Sequence, residues 1–179
     1  MFYKIISNNM SYMNVLFINE KNIKDFSLLD DNLSYDYIVP VLKFVQDEKM
    51  TRILGKDLYK DIREQILTGT TSVNYKFILD NYIKHILIWG VLAEIQVPLN
   101  IKFRNAGMVE TSNEDGSNTI LDNIKYTKNH YDRICNFYET QLIKYLCDNA
   151  TDYPLLTSSL DGCNGYIKNN YNCSIYLGK

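Results

Sequence analysis

Residues Phe17 to Tyr59 read FINEKNIKDFSLLDDNLSYDYIVPVLKFVQDEKMTRILGKDLY, and this stretch decides the fold. It starts with the end of VLFI (15–18), an apolar run expected to form a short strand, and the polar residues to Asp31 read as a loop with a turn at Asp30-Asp31-Asn32. A helix is expected from Ser34 or Asp36, either of which can accept hydrogen bonds from free first-turn amides. Pro40 is tolerated there if it removes only a donor that has no helical partner. Ile38, Val41, Leu42 and Val45 follow helical spacing and place one face on a core. Gly55 can take the left-handed conformation that stops a helix. A second, shorter helix is then expected over 56–67, with Leu58, Ile62 and Ile66 inside and Gly69 as its stop. Its Lys60, Asp61, Arg63 and Glu64 read as a solvated face, or in an assembly as one turned toward a neighbour.

Outward from this stretch the chain stays helical. Ser72 is a candidate cap for a third helix running to about Gln96 and ending at Pro98. Phe77, Ile78, Tyr82 and Ile86 give its first half one apolar side, whereas ILIWGVLAEI (86–95) is apolar nearly all round and therefore central. Trp89 is expected in the core rather than stacked on a ligand, and Gly90 marks a close backbone contact. Ile101 and Phe103 alternate with Lys102 and Arg104, which predicts a strand, and the polar residues up to Asn118 read as a loop reserved for contacts made in assembly. A fourth helix over 119–147 carries Ile124, Tyr131, Tyr138 and Tyr145 at seven-residue intervals, joined by Ile134, Cys135, Leu142 and Leu146. Such a stripe packs along another helix, most simply the third, with a coiled-coil dimer as the alternative. Pro154, Gly162 and Gly165 break any further helix, and SIYL (174–177) reads as a terminal strand. The expected fold is mainly α: a single-domain bundle of about four helices, with a short strand and loop insertion between the third and fourth and an extended C-terminal tail.

Composition narrows the function. The 179 residues, 46% hydrophobic and 22% charged, suit one globular domain with a sizeable core, and a net charge of −2 supplies no field to gather phosphates. Cys135, Cys147, Cys163 and Cys173 lack paired zinc-site spacing and are expected to be free thiols, with a Cys163–Cys173 bridge as the rival. Ser7, Asn8, Asn9, Ser11 and Asn14 interrupt the start of the chain, which argues against a signal peptide. The run 86–99 is too short for a bilayer and includes Glu94 and Gln96.

The sequence contains no phosphate-cradling, serine-nucleophile, zinc-protease or dinucleotide motif. The two histidines, His85 and His130, lie on different helices without a second histidine at ligand spacing, and each reads as a surface or core-edge residue. Adjacent Asp47 and Glu48 point apart on a helix, and neither Asp30-Asp31 nor Glu114-Asp115 has the alternating oxygens of a calcium loop. No catalytic, cofactor-binding or metal-binding residue is therefore assigned, and no cofactor.

Four segments carry a resemblance to a known family: LFINEKNIKDF, YIVPVLKFVQDEKMTRILGKDLYKDI, IKFRNAGMVETSNEDGSN, and YETQLIKYLCDNATDYPLL. Their order resembles that of tailed-bacteriophage head-tail connector proteins, the neck-ring adaptors, and looks much like that of the crAss-like phages of Bacteroides. Where relatives often show Ala-Gln in the first helix this chain has Val45-Gln46, so Gln46 alone matches there. The resemblance implies a virion structural protein, not an enzyme. It would form a homo-oligomeric ring, typically a dodecamer, between the portal protein and the next neck or tail protein. Genomic DNA would pass through the channel without specific binding, and no membrane is involved. Residues 1–156 would be the helical connector domain with an extended N-terminal arm, and 157–179 a docking tail. Contacts with neighbours would fall to the loop 105–118 and the tail after Pro154. A tail-completion or stopper protein of the adjacent ring is the near alternative, and an intracellular helical adaptor using the stripe of the fourth helix the distant one.

Near-neutral charge suits a tunnel wall, because each neutralised phosphate adds a counterion-release term that holds DNA back. Tails that order only on docking meet their ordering cost at the moment of contact, which suits stepwise assembly.

Overall fold

The computed structural model describes residues 15–26, 33–104, 107–110 and 119–159. The turn at 30–32, most of the loop 105–118, the bulk of the tail, the SIYL segment, Cys163 and Cys173 lie outside the described residues.

The fold is mainly α. Helix α1 (Glu20–Asp25) precedes α2 (Tyr35–Thr68), which starts at the Ser34 cap and is kinked at Gly55. A continuous helical rod follows: α3 (Val73–Ile78) capped by Ser72, a π turn (Leu79–Ile83), and α4 (Lys84–Asn100). The short antiparallel hairpin of β1 (Ile101–Arg104) and β2 (Gly107–Glu110) leads to the long α5 (Thr119–Asp148) and two 3-10 turns, Ala150–Asp152 and Pro154–Ser159. The expected strand is present, and the residues read as open loop at 107–110 pair back onto it.

Three helices enclose the core. The stripe Ile38, Leu42, Val45 and Met50 of α2 meets Ile86, Leu87, Val91 and Ile95 of α4, and Cys135, Leu142 and Leu146 of α5 close the third side. Burying each Ile, Leu or Val contributes roughly 1.5–3 kcal/mol by removing apolar surface from water, so this core holds the three helices together. Gly90 marks the tightest approach: a Cβ there would lie 2.7 Å from Val45 Cγ1. The central, all-round apolar helix is as expected.

Beyond α5 the chain folds back over α3. Tyr153 is fully buried, stacks on Tyr75 with ring centroids 6.2 Å apart and donates to the Asn74 carbonyl at 3.1 Å. Leu156 is the last described side chain in the core.

Several local expectations need correcting. VLFI is not a strand; its four residues are buried, and its backbone pairs with a side chain instead of a sheet. The polar run after it forms α1, because Asn19 and Asn22 cap each other's backbone amides at 3.1 and 2.9 Å. Pro40 is the sixth residue of α2, one turn deeper than its expected excuse allows, and denies the Asp36 carbonyl its usual donor; exposed Asp36 leaves that carbonyl to water. Gly55 breaks the helix as expected and has positive φ, but its ψ of 170° is extended, so α2 bends there and continues. Gly69, with φ 72° and ψ 13°, ends it in the left-handed form. Pro98 does not end the third helix, which runs on to Asn100 because buried Val91, Leu92 and Ile95 hold it through the lost bond. Pro154 likewise opens a helical turn, where a proline suits the first position.

Candidate functional site

Two polar clusters lie inside this helical body. The first fastens the N-terminal arm. Gln46 is 2% exposed, on the apolar stripe of α2, and its amide works in both directions: Oε1 accepts from the Phe17 amide at 2.7 Å, while Nε2 donates to the Val15 carbonyl at 2.8 Å and to Tyr59 Oη at 3.1 Å. Tyr59 then donates to Asp47 Oδ1 at 2.6 Å, and its ring meets Phe17 edge-on at 5.5 Å. Gln46 thus stands in for a neighbouring strand, giving the arm both bonds that a β ladder would offer. Burial works to raise the Asp47 carboxyl, but hydrogen bonds from Lys43 and Tyr59 and the charges of Lys43 and Arg63 outweigh it and hold it below the usual range. Burial, and then the bond to Asp47, push the Tyr59 hydroxyl well above the usual tyrosine value.

Arg63 sits over the Tyr59 ring at 5.1 Å, and its buried Nε and Nη2 make no hydrogen bond. Asp61 accepts from Tyr75 Oη at 2.7 Å and from Gln65 at 2.9 Å. Of the face read as solvated, or in an assembly as turned toward a neighbour, Lys60 is exposed and pairs with the partly exposed Glu64, whereas Asp61 and Arg63 are engaged by Tyr75 and Tyr59.

The second cluster joins α2 to α5. Glu139, 4% exposed, bonds Lys49 at 3.0 Å through Oε1 and Arg52 Nη2 at 2.6 Å through Oε2. Cys135 Sγ lies 3.4 Å from the Ile86 carbonyl and 3.6 Å from Glu139 Oε1. Burial pushes the Cys135 thiol up to about 12, Lys49 working against the rise and Glu139 with it. It is a thiol at neutral pH, with little nucleophilic character. Burial tends to lower the Lys49 ammonium, but Cys135, the bond and charge of Glu139, and Glu48 outweigh it and hold it above the usual lysine value. Glu139 is a carboxylate held by two cations. Its chemistry here is to lock α5 onto α2 in one register.

The seven-residue stripe of α5 meets α4, as expected. Tyr131 packs on Trp89 at 5.8 Å, Tyr138 stacks on His85 at 4.8 Å and Tyr145 meets Tyr82 at 5.3 Å, so the two helices run antiparallel. Lys128 and Glu94 extend the seam with an ion pair at 2.5 Å. Trp89 is half-buried, at the edge of the core. His85 is a core-edge residue, with its pKa lowered by burial and then by the Lys84 charge, and His130 is exposed.

Asp47 and Glu48 do point apart, toward Tyr59 and Arg52 respectively. Asp30-Asp31 and Glu114-Asp115 lie outside the described residues. Among the described residues no group of three or more His, Cys, Asp or Glu could hold a metal. Cys135 is a free thiol as expected, but Cys147 is disulfide-bonded, a proximity that sequence spacing does not encode.

Gln46 and Glu139 were not singled out as site residues. Their signal is a polar residue on an apolar stripe: Gln46 follows Leu42 by four, and Glu139 lies between Cys135 and Leu142.

The model of a family of unknown function, DUF6712, matches residues 50–165, more than half of the chain. The chain belongs to this family. No curated protein and no solved structure matches it. The DUF6712 match takes in the Gly55 kink, the central rod, the hairpin and Glu139. It leaves the arm and Gln46 outside.

Proposed function

We propose that this DUF6712 chain is a structural subunit of a phage neck, forming a ring, of twelve copies as is typical of such rings, that joins the portal protein to the next neck or tail protein and lets the genome pass. The observation that carries the reading is the order of elements. An anchored arm leads to a helix with a proline near its start and a glycine break, then to a central rod, a hairpin insertion and a long last helix. That is the order on which the likeness to head-tail connectors rests. Leu156 is the last buried side chain among the described residues, and this reading assigns 157–179 to docking. No described helix is long and apolar enough to cross a membrane.

The intracellular adaptor reading is weakened by a specific contact. The α5 stripe that an adaptor would offer is covered by Trp89 and His85 of α4 and by Tyr82 of the π turn before it. The experiment is cryo-electron microscopy of purified particles of the phage that encodes the chain. Neck density that fits the kinked α2 and the antiparallel rods is expected, and a neck whose rings all fit other chains would overturn the proposal.

A further inference from the structure

Cys147, on the last turn of α5, is disulfide-bonded, and the sequence leaves few candidates for its partner. The chain has four cysteines, the others being Cys135, Cys163 and Cys173. Cys135 is a free, buried thiol. It also stands twelve residues before Cys147 on the same helix, about 18 Å away at 1.5 Å per residue, whereas bridged cysteines have Cα atoms within about 7 Å. The second sulfur therefore comes from the tail. Whichever tail cysteine supplies it, the loop so closed contains the fold-back that follows α5. The two 3-10 turns of that segment are held by the amides of Asp152, Tyr153 and Leu156, which donate to the carbonyls of Asn149, Ala150 and Tyr153 at 3.0, 3.2 and 2.9 Å, in a geometry poorer than that of an α-helix. Its grip on the body comes from buried Tyr153, stacked on Tyr75, and buried Leu156.

We infer that Cys147 is bridged to Cys163 or Cys173 and that this bond is a redox latch: closed, it holds the fold-back over α3 and the start of the docking tail at the end of α5, and opened, it lets both lift away. The pairing stands on the cysteines alone, and only the tail's role rests on the neck reading. Closure takes one proton from each of the two thiols and two electrons in all, and a low-molecular-weight disulfide accepts the electrons. One cysteine thiolate attacks that disulfide and expels half of it as a thiolate; the second cysteine thiolate then attacks the mixed disulfide and expels the other half. A dithiol reverses both steps and ends as its own disulfide. Cys147 is only half-buried, so a small thiol or disulfide can reach it, whereas buried Cys135 takes no part. The other tail cysteine stays a thiol, so the latched chain carries two free thiols and the opened chain four.

The test uses the full chain equilibrated with glutathione and glutathione disulfide, its free thiols then blocked with iodoacetamide. Digestion with trypsin and Asp-N puts Cys147, Cys163 and Cys173 in three separate peptides, 145–147, 161–168 and 169–179. Peptide 145–147 is expected joined to one of the other two, from a chain that runs as a monomer on a non-reducing gel, and a dithiol should part them. A Cys163–Cys173 link, a disulfide-linked dimer or four blocked thiols overturns the pairing. Hydrogen exchange tests the latch. The amides of Tyr153 and Leu156 should exchange roughly tenfold faster or more in the reduced chain, the scale of a lost loop constraint, while Leu87 in α4 is unchanged. Cys147→Ser should match the reduced chain even in the oxidising buffer. Equal rates at Tyr153 and Leu156 in the two redox states overturn the latch. Neither result bears on the neck reading, which the copy number in particles tests by itself.

Discussion

Replacing Gln46 by Leu removes an amide and leaves a side chain of nearly the same size. In the wild type, Gln46 supplies a donor to the Val15 carbonyl and an acceptor to the Phe17 amide, both in a buried setting. After the change these two backbone groups have no partner, and each costs about 1–3 kcal/mol. The arm can escape only by peeling away. That would expose Val15, Leu16, Phe17 and Ile18, at roughly 1.5–3 kcal/mol for each large apolar side chain, so holding on is cheaper. Tyr59 keeps its bond to Asp47 in either case. The expected loss is about 3 kcal/mol, a large share of the roughly 5–15 kcal/mol that holds a domain folded. At about 2–4 °C per kcal/mol for a chain of this size, Tm drops by roughly 6–12 °C. Urea unfolding should show a lower midpoint at unchanged slope, and amide exchange at Phe17 should quicken far more than at Leu87 in the centre of α4. Tyr59→Phe, which removes only a hydroxyl, should cost about 1 kcal/mol. Gln46→Leu within about 0.5 kcal/mol of wild type, with Phe17 protection intact, would refute the clamp, since that is the size of an ordinary surface change.

Three further outcomes are expected. Gly90→Ala forces a methyl to within 2.7 Å of Val45 Cγ1, and the overpacking, about 1–3 kcal/mol, exceeds the helix-propensity gain of about 1 kcal/mol; adding Val45→Ala should make the double variant more stable than the sum of the single changes, and strict additivity would show that the two sites do not touch. Glu139→Gln leaves Lys49 and Arg52 without their carboxylate and should lower stability by about 2–3 kcal/mol, less than for a fully buried pair because Arg52 reaches water; a thermal shift under 2 °C would argue against the lock. His85 has a folded pKa below its ordinary 6.5, so the unfolded chain binds the proton first: the contribution of neutral His85 is complete above pH 6.5 and is lost as pH falls below it, and His85→Phe should remove that part of the acid loss in urea titrations at pH 7 and 5.

Much of the framework is legible from particular residues. Ser34, Ser72 and Gly69 carry cap chemistry that depends on the residue itself, and the stripes Leu58-Ile62-Ile66 and Cys135-Leu142-Leu146 are long enough for the helical period to be unambiguous. Gly90 is legible as a close approach because a small residue in an otherwise bulky apolar run needs a reason. The misses share a cause: a local rule overridden by a contact distant in sequence. VLFI has the composition of a strand, but its hydrogen-bond partner is a glutamine 29 residues from Phe17. Pro98 breaks the local ladder, yet core packing carries the helix past it. Asn19 and Asn22 look like loop residues until they cap each other. The Lys49-Arg52-Glu139 lock spans 87 residues between Arg52 and Glu139, and nothing in either segment alone points to the other. Exposed Tyr37, Phe44, Tyr126 and Phe137 could be told from core aromatics only by the burial pattern.

The central claim, a neck ring, is tested most directly by counting this chain in purified phage particles, using quantitative mass spectrometry with the portal protein as the internal standard. The account predicts a ratio near one to one, the value that two closed rings of matching cyclic symmetry give. Particles that lack the chain, while infected cells contain it, would contradict the account and move the function to an intracellular partner.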